Sequence, residues 1–90
     1  IFEGFLSNKS GQRRKRLNEL KAESRTIIIY ESPHRIEKLL KDILDVFGDR
    51  NIACVRELTK KFEEIKRGKV SEIVEAFTQK APKGEFIVIL

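Results

Sequence analysis

Between Ile27 and Phe47 the hydrophobic pattern of this chain changes period once, and that change dictates a buried strand followed by a helix. Ile27-Ile28-Ile29-Tyr30 is an unbroken run of large β-branched and aromatic residues. Within Arg25 to Glu31, such a run reads as a strand covered on both faces. From Ile36 onward the period is helical: Ile36, Leu39, Leu40, Ile43, Leu44 and Phe47 fall on one broad face, and Gly48 sits where a left-handed residue ends a helix. Ser32-Pro33 between them reads as an N-cap serine with proline at the first helical position.

The same alternation continues. Ile52-Ala53-Cys54-Val55 is a second strand, and Phe62 to Arg67 reads as a polar edge strand leading to Gly68. Val70, Ile73, Val74 and Phe77 form a shorter amphipathic helix, Pro82-Lys83-Gly84 a turn, and Phe86 to Leu90 a last apolar strand. Upstream, Ile1 to Leu6 resembles a strand end running into a connector, and residues 11–23 a basic helix whose apolar stripe is only Leu17 and Leu20. Strands alternating with helices predict an α/β layer arrangement with about three helices and a sheet that is at least partly parallel. Ninety residues supply one such core.

Composition excludes several function classes. The apolar runs are far short of the ~20 residues of a membrane span, and no signal-peptide pattern opens the chain. A single cysteine, Cys54, excludes an internal disulfide and a cysteine-based zinc site, and a single histidine, His34, excludes a histidine metal cluster. No metal is expected. Cys54 within an apolar run reads as a packed thiol, and His34 as an exposed first-turn residue. The absence of methionine leads to the expectation that the chain begins inside a longer protein.

Nineteen Lys and Arg oppose fourteen Asp and Glu, a net charge of +5. Residues 9–25 hold seven basic and two acidic side chains, so the whole excess lies there. Lys9, Arg13 and Arg14 have no acid three or four residues ahead. Unpaired arginines on a weakly buried helix suit bidentate phosphate binding, although a merely solvated face has the same composition. No aromatic residue is interleaved, so base stacking is not indicated. Two further charged segments, Tyr30-Glu31-Ser32-Pro33-His34-Arg35 and Arg56-Glu57-Leu58-Thr59-Lys60-Lys61, each follow a strand. That is the edge of an α/β sheet where ligands bind.

These segments, with Phe2-Glu3-Gly4-Phe5-Leu6 and Lys9 before them and Lys83-Gly84-Glu85-Phe86 after, resemble the C-terminal half of the ribosomal RNA branch of the tetrapyrrole (corrin/porphyrin) methylase superfamily. The resemblance covers essentially the whole chain. Ser7 departs from it, standing where the family usually has proline. The resemblance implies a two-domain α/β enzyme, with residues 1–8 the remnant of an interdomain connector and residues 9–90 the C-terminal domain, a mixed sheet with about three helices. It further implies S-adenosylmethionine as cofactor, bound in a cleft shared with an N-terminal domain of the same chain. The implied substrate is the 2′-oxygen of a cytidine ribose in small-subunit ribosomal RNA, in a cytoplasmic homodimer. By the same resemblance Tyr30, Glu31, Ala53, Lys83, Gly84 and Glu85 belong to the cofactor site. Lys9, Arg13, Arg14, Arg16, Arg35, Arg56 and Lys60 are expected to face the RNA, and no general base is assigned.

Two other functions fit parts of the sequence. A corrin or porphyrin methylase shares the fold, and its carboxylated substrate also attracts arginines. An RNA-binding or dimerisation module without catalysis needs only the basic segment.

Overall fold

A computed structural model describes residues 1–57 and 63–90. In chain order the elements are β1 (Phe2–Phe5), α1 (Ser10–Leu20), β2 (Ile28–Glu31), α2 (Ile36–Phe47), β3 (Asn51–Arg56), β4 (Glu64–Lys69), α3 (Val70–Gln79) and β5 (Phe86–Ile89). The strands form one mixed sheet in the order β1-β2-β5-β3-β4. Only β1 and β2 run parallel; β5 is antiparallel to both β2 and β3, and β3 to β4. The last strand of the chain thus occupies the centre of the sheet.

Register fixes which side chains share a face. Ile29, Val88 and Cys54 lie side by side across β2, β5 and β3, and all three are buried in one cluster with residues of every helix. α2 packs against both α1 and α3 and contributes the most to this core, with Ile36, Leu39, Leu40 and Ile43 fully covered. Each such side chain stabilises the fold by roughly 1.5–3 kcal/mol. The alternate row, Tyr30, Ile87 and Val55, faces the other way. On that side Phe2 and Phe5 stack edge-on against Tyr30, with ring centroids 5.1 and 5.8 Å away, yet are themselves 63% and 61% exposed.

The helical periodicity places α2 correctly, but its start is displaced from the expected one. Pro33 and His34 form a turn, and the backbone N–H groups of Arg35 and Ile36 both donate to the Ser32 carbonyl, at 3.1 and 3.0 Å. The Ser32 hydroxyl caps nothing. It is the one buried side-chain polar atom without a partner among the described residues. At the other end Gly48 has φ 84° and ψ −178°, a region more exclusive to glycine than the left-handed helical one. The third helix is started from a distance: Asp49 accepts hydrogen bonds from the Ser71 N–H and hydroxyl at 2.8 and 2.6 Å. These two bonds hold the Asp49 carboxyl below its ordinary pKa.

β2 begins at Ile28, later than the apolar run suggested, although Ile27 and Leu90 still exchange backbone hydrogen bonds. The polar edge strand spans Glu64–Lys69; its expected start at Phe62 lies outside the described residues. α1 ends at Leu20, short of the expected residue 23. Ser7 has a defined role ahead of it. Its hydroxyl accepts the Lys9 N–H at 3.1 Å and donates to Gln12 Oε1 at 2.9 Å, an entry to the helix that proline cannot supply.

Candidate functional site

Because β5 is antiparallel to its neighbours, its first residues lie beside the last residues of β2 and β3. Glu31, Phe86 and Arg56 are register partners in one row at this sheet edge. Two cavities open here, separated by Phe86. The first, about 230 Å³, is lined by Phe5, Tyr30, Glu31, Glu57, Glu85, Phe86 and Ile87. The second, about 250 Å³, is lined by Arg56, Glu64, Lys66, Lys80 and Lys83 over a floor that includes Phe77 and Phe86.

The first cavity combines aromatic walls with three carboxylates. Glu31 is 2% exposed, and a carboxylate so covered requires partners. Its Oε1 accepts the Ser32 N–H at 2.8 Å and the Arg35 Nε–H at 3.0 Å. Glu57 carries the one non-glycine positive φ among the described residues, 54°. It exchanges bonds with Glu85 in both directions: its N–H donates to the Glu85 carbonyl at 3.0 Å, and its Oε1 accepts the Glu85 N–H at 3.1 Å. This clasp explains Gly84. A Cβ at that position would stand 2.0 Å from Glu57 Oε1, and φ there is 84°. The turn is therefore shaped around a carboxylate from the neighbouring strand.

The expected cofactor residues are divided by this geometry. Tyr30, Glu31 and Glu85 line the first cavity together, and Gly84 packs against Glu57, another residue of that lining. Lys83 instead lines the second cavity, beside Arg56. Ala53 is further away, in a shallow depression with Asn51, Arg67 and Ile89, in the next row of the same sheet face as Tyr30. Glu57 belongs to a segment expected at this ligand-binding edge, but it was not among the expected cofactor residues. Its positive φ and its partner 28 residues away leave no local signature.

The expected phosphate-binding arginines are largely committed elsewhere, which corrects the expectation that they lack acidic partners. Arg13 is 3% exposed, and its Nε donates to Asp42 Oδ2 at 2.7 Å. Arg14 Nη1 donates to Asp42 Oδ1 at 2.7 Å and Asp45 Oδ2 at 3.1 Å. Arg16 forms a two-pronged pair with Glu3 at 2.7 and 2.8 Å, whose hydrogen bonds hold the Glu3 carboxyl below its ordinary pKa. Arg25 likewise grips Glu23, whose carboxyl is lowered to about 2, first by the Arg25 side chain and then by its backbone N–H. The acids lie on β1 and α2 for Arg13, Arg14 and Arg16, beyond the reach of a helical i+4 search. Lys9 remains exposed. Arg35 is bound to Glu31, and Lys60 lies outside the described residues.

The remaining reactive side chains have structural surroundings. His34 is exposed. Cys54 is 1% exposed, and burial pushes its thiol pKa up to about 12. Among the described residues no group of three or more His, Cys, Asp or Glu is arranged to hold a metal, and no helix is long and apolar enough to cross a membrane.

Comparison with known proteins agrees with this fold. The family described as Tetrapyrrole (Corrin/Porphyrin) Methylases matches residues 2–74. The chain is 48% identical over 90 residues to ribosomal RNA small subunit methyltransferase I of Thermotoga maritima, covering all of this chain and 40% of that protein. It is 42% identical over 90 residues to the protein of that name from Bacillus subtilis, covering all of this chain and 31% of that one. It thus spans between 31% and 40% of the length of these relatives. Among solved structures, cobalt precorrin-4 methyltransferase, a cobalamin biosynthetic enzyme, matches with a TM-score of 0.67 at 18% identity over 99% of this chain and 39% of its own. The methyltransferase CobJ matches with a TM-score of 0.65 at 14% identity over the same shares. The chain belongs to the tetrapyrrole (corrin/porphyrin) methylase family.

Proposed function

We propose that these residues form the C-terminal domain of an S-adenosylmethionine-dependent methyltransferase that modifies the 2′-oxygen of a cytidine ribose in small-subunit ribosomal RNA. Residues 1–8 then enter from an N-terminal domain that closes the cofactor cleft, and the enzyme works in the cytoplasm as a homodimer. The observation that carries this reading is the cavity walled by Phe5, Tyr30 and Phe86 and ringed by Glu31, Glu57 and Glu85. Carboxylates accept hydrogen bonds from an ammonium group or ribose hydroxyls, and aromatic faces attract cations such as a sulfonium. The residues present fit a nucleoside of that kind. When bound, S-adenosylmethionine supplies an electrophilic methyl group.

The contribution of this chain is binding and orientation. Tyr30 and Phe5 wall the apolar side, Glu31 is held rigid by Ser32 and Arg35, and the Glu57 clasp fixes the backbone of Glu85. Rigid placement of this kind lowers the barrier by keeping the reacting oxygen near attack distance. The relatives named for ribosomal RNA methylation support the substrate class.

Calorimetry of S-adenosylmethionine with the intact enzyme tests the cavity. Glu31→Gln keeps the shape and removes the charge, and is expected to weaken binding about tenfold, or 1.4 kcal/mol. Unchanged affinity would remove Glu31 from the site. A corrin or porphyrin substrate is the competing reading, favoured by the fold of the structural neighbours. Methyl transfer assayed in parallel on small-subunit ribosomal RNA and on uroporphyrinogen separates the two, with transfer to the RNA alone expected.

A further inference from the structure

The second cavity at the sheet edge has the opposite electrostatic character to the first. Arg56 from β3, Lys66 from β4, Lys80 at the end of α3 and Lys83 from the following turn converge on about 250 Å³, with Glu64 the one acid in the lining. Glu64 is shared loosely, its oxygens 3.8 Å from Arg56 Nη2 and 3.7 Å from Lys66 Nζ. Lys80 and Lys83 are exposed and have no ion-pair partner among the described residues. Like charges from four separate elements repel one another; the β3–β4 register brings Arg56 and Lys66 to one face, but it does not call for Lys80 or Lys83 beside them. Lysines on an edge strand do discourage strand addition, which accounts for Lys66 but not for Lys80 or Lys83.

We infer that this cavity is a phosphate-binding site for the RNA backbone, and that it, rather than α1, supplies the electrostatic grip on the substrate. The inference rests on the ribosomal RNA reading above. An anion gains most where cations are already placed and are unpaired, as Lys80 and Lys83 are, or only loosely paired, as Arg56 and Lys66 are with Glu64. The aromatic residues of the lining, Phe77 and Phe86, are 5% and 3% exposed and lie beneath the cations, so they offer no platform for stacked bases. The site therefore takes phosphodiester groups, without reading sequence. It also reassigns Lys83 from the cofactor to the RNA.

The test is the salt dependence of small-subunit ribosomal RNA binding to the intact enzyme. Each lysine neutralising a phosphate adds about 0.7–0.9 to the slope of log affinity against log salt. Lys66→Ala and Lys80→Ala are each expected to lower the slope by about that amount and to leave cofactor affinity unchanged, while Lys80→Arg restores it. Lys15→Ala and Lys21→Ala, exposed on or beside α1, are expected to change it by less. Inorganic phosphate serves as a second probe. Competition only at concentrations far above those of RNA phosphate supports a polymer site, whereas equal potency per phosphate would mean a site for free anion and overturn the assignment to RNA. An unchanged slope in Lys66→Ala and Lys80→Ala, with wild-type cofactor and RNA binding intact, would overturn this site alone. Failure of the wild type to bind RNA at all would overturn both it and the ribosomal RNA reading.

Discussion

The segment around α1 and the rim between α3 and β5 both hold clustered cations, yet they are in opposite electrostatic states. Around α1 the arginines are closed into pairs with Glu3, Asp42, Asp45 and Glu23. At the rim Lys80 and Lys83 are exposed, and half-buried Lys66 shares one loosely held acid, Glu64, with Arg56. Net charge counts both alike. What differs is whether the counter-charge is internal, and so whether the cation is part of the fold or available to a ligand. A buried pair such as Arg13–Asp42 tolerates no loss of either member, because the survivor stays desolvated.

The comparison is broken most forcefully at Asp42. Asp42→Ala leaves Arg13 buried without its acid and is expected to cost about 3–5 kcal/mol, read from the urea midpoint of unfolding. A cost below 1 kcal/mol would mean that Arg13 escapes to solvent, and would return α1 to the ligand-binding side. Next in size is Gly84→Ala. It forces a side chain into a positive φ and against Glu57 Oε1, at an expected cost of about 1–3 kcal/mol, together with weakened binding of S-adenosylmethionine. By contrast Lys66→Ala and Lys80→Ala should move stability by no more than about 0.5 kcal/mol, because their charges hold no part of the fold together. A larger loss would show that the rim, too, is structural.

Smaller effects sharpen the same distinction. Glu3, Glu23 and Asp49 all have lowered carboxyl pKa values. Their stabilisation is therefore present above the ordinary carboxylate range and lost as pH falls through the folded values. For Glu23 the window runs from 4.5 down to about 2. Glu23→Gln should flatten the stability profile in that window, lowering stability slightly at neutral pH and leaving it unchanged below about pH 2, as followed by thermal unfolding across a pH series. The smallest expected signal is at Cys54. With its thiol raised to about 12 by burial, it should resist a thiol reagent in the native state and react only on unfolding.

Periodicity made α2 and the strand before it readable, because a six-member apolar face leaves one solution. The entry to α2 was not readable in the same way. Ser32-Pro33 has the composition of a cap, but the turn through His34 satisfies the first N–H groups with the Ser32 carbonyl instead. Strand order was also beyond the sequence. β5 reads as a terminal strand, whereas its register with both β2 and β3 makes it the central one. At the site, Tyr30, Glu31 and Glu85 were legible from strand ends and resemblance. For Glu57 the position at a strand end was legible but its role was not, since that depends on a contact with a turn 28 residues away. The pairing of the α1 arginines was missed for the same reason: Arg13 meets its acid at a separation of 29 residues.

Phe86 lines both cavities at the sheet edge, and the strand ends beside it divide their residues between them, Arg56 to one and Glu57 to the other. A shared wall gives the two compartments a route to thermodynamic linkage. If an anion seated among the lysines shifts Phe86, the affinity of the acidic cavity changes by some factor. An occupant of the acidic cavity must then change anion affinity by that same factor. The occupants of the two cavities would then report on each other through a single benzene ring, and Phe86→Leu is the substitution expected to uncouple them.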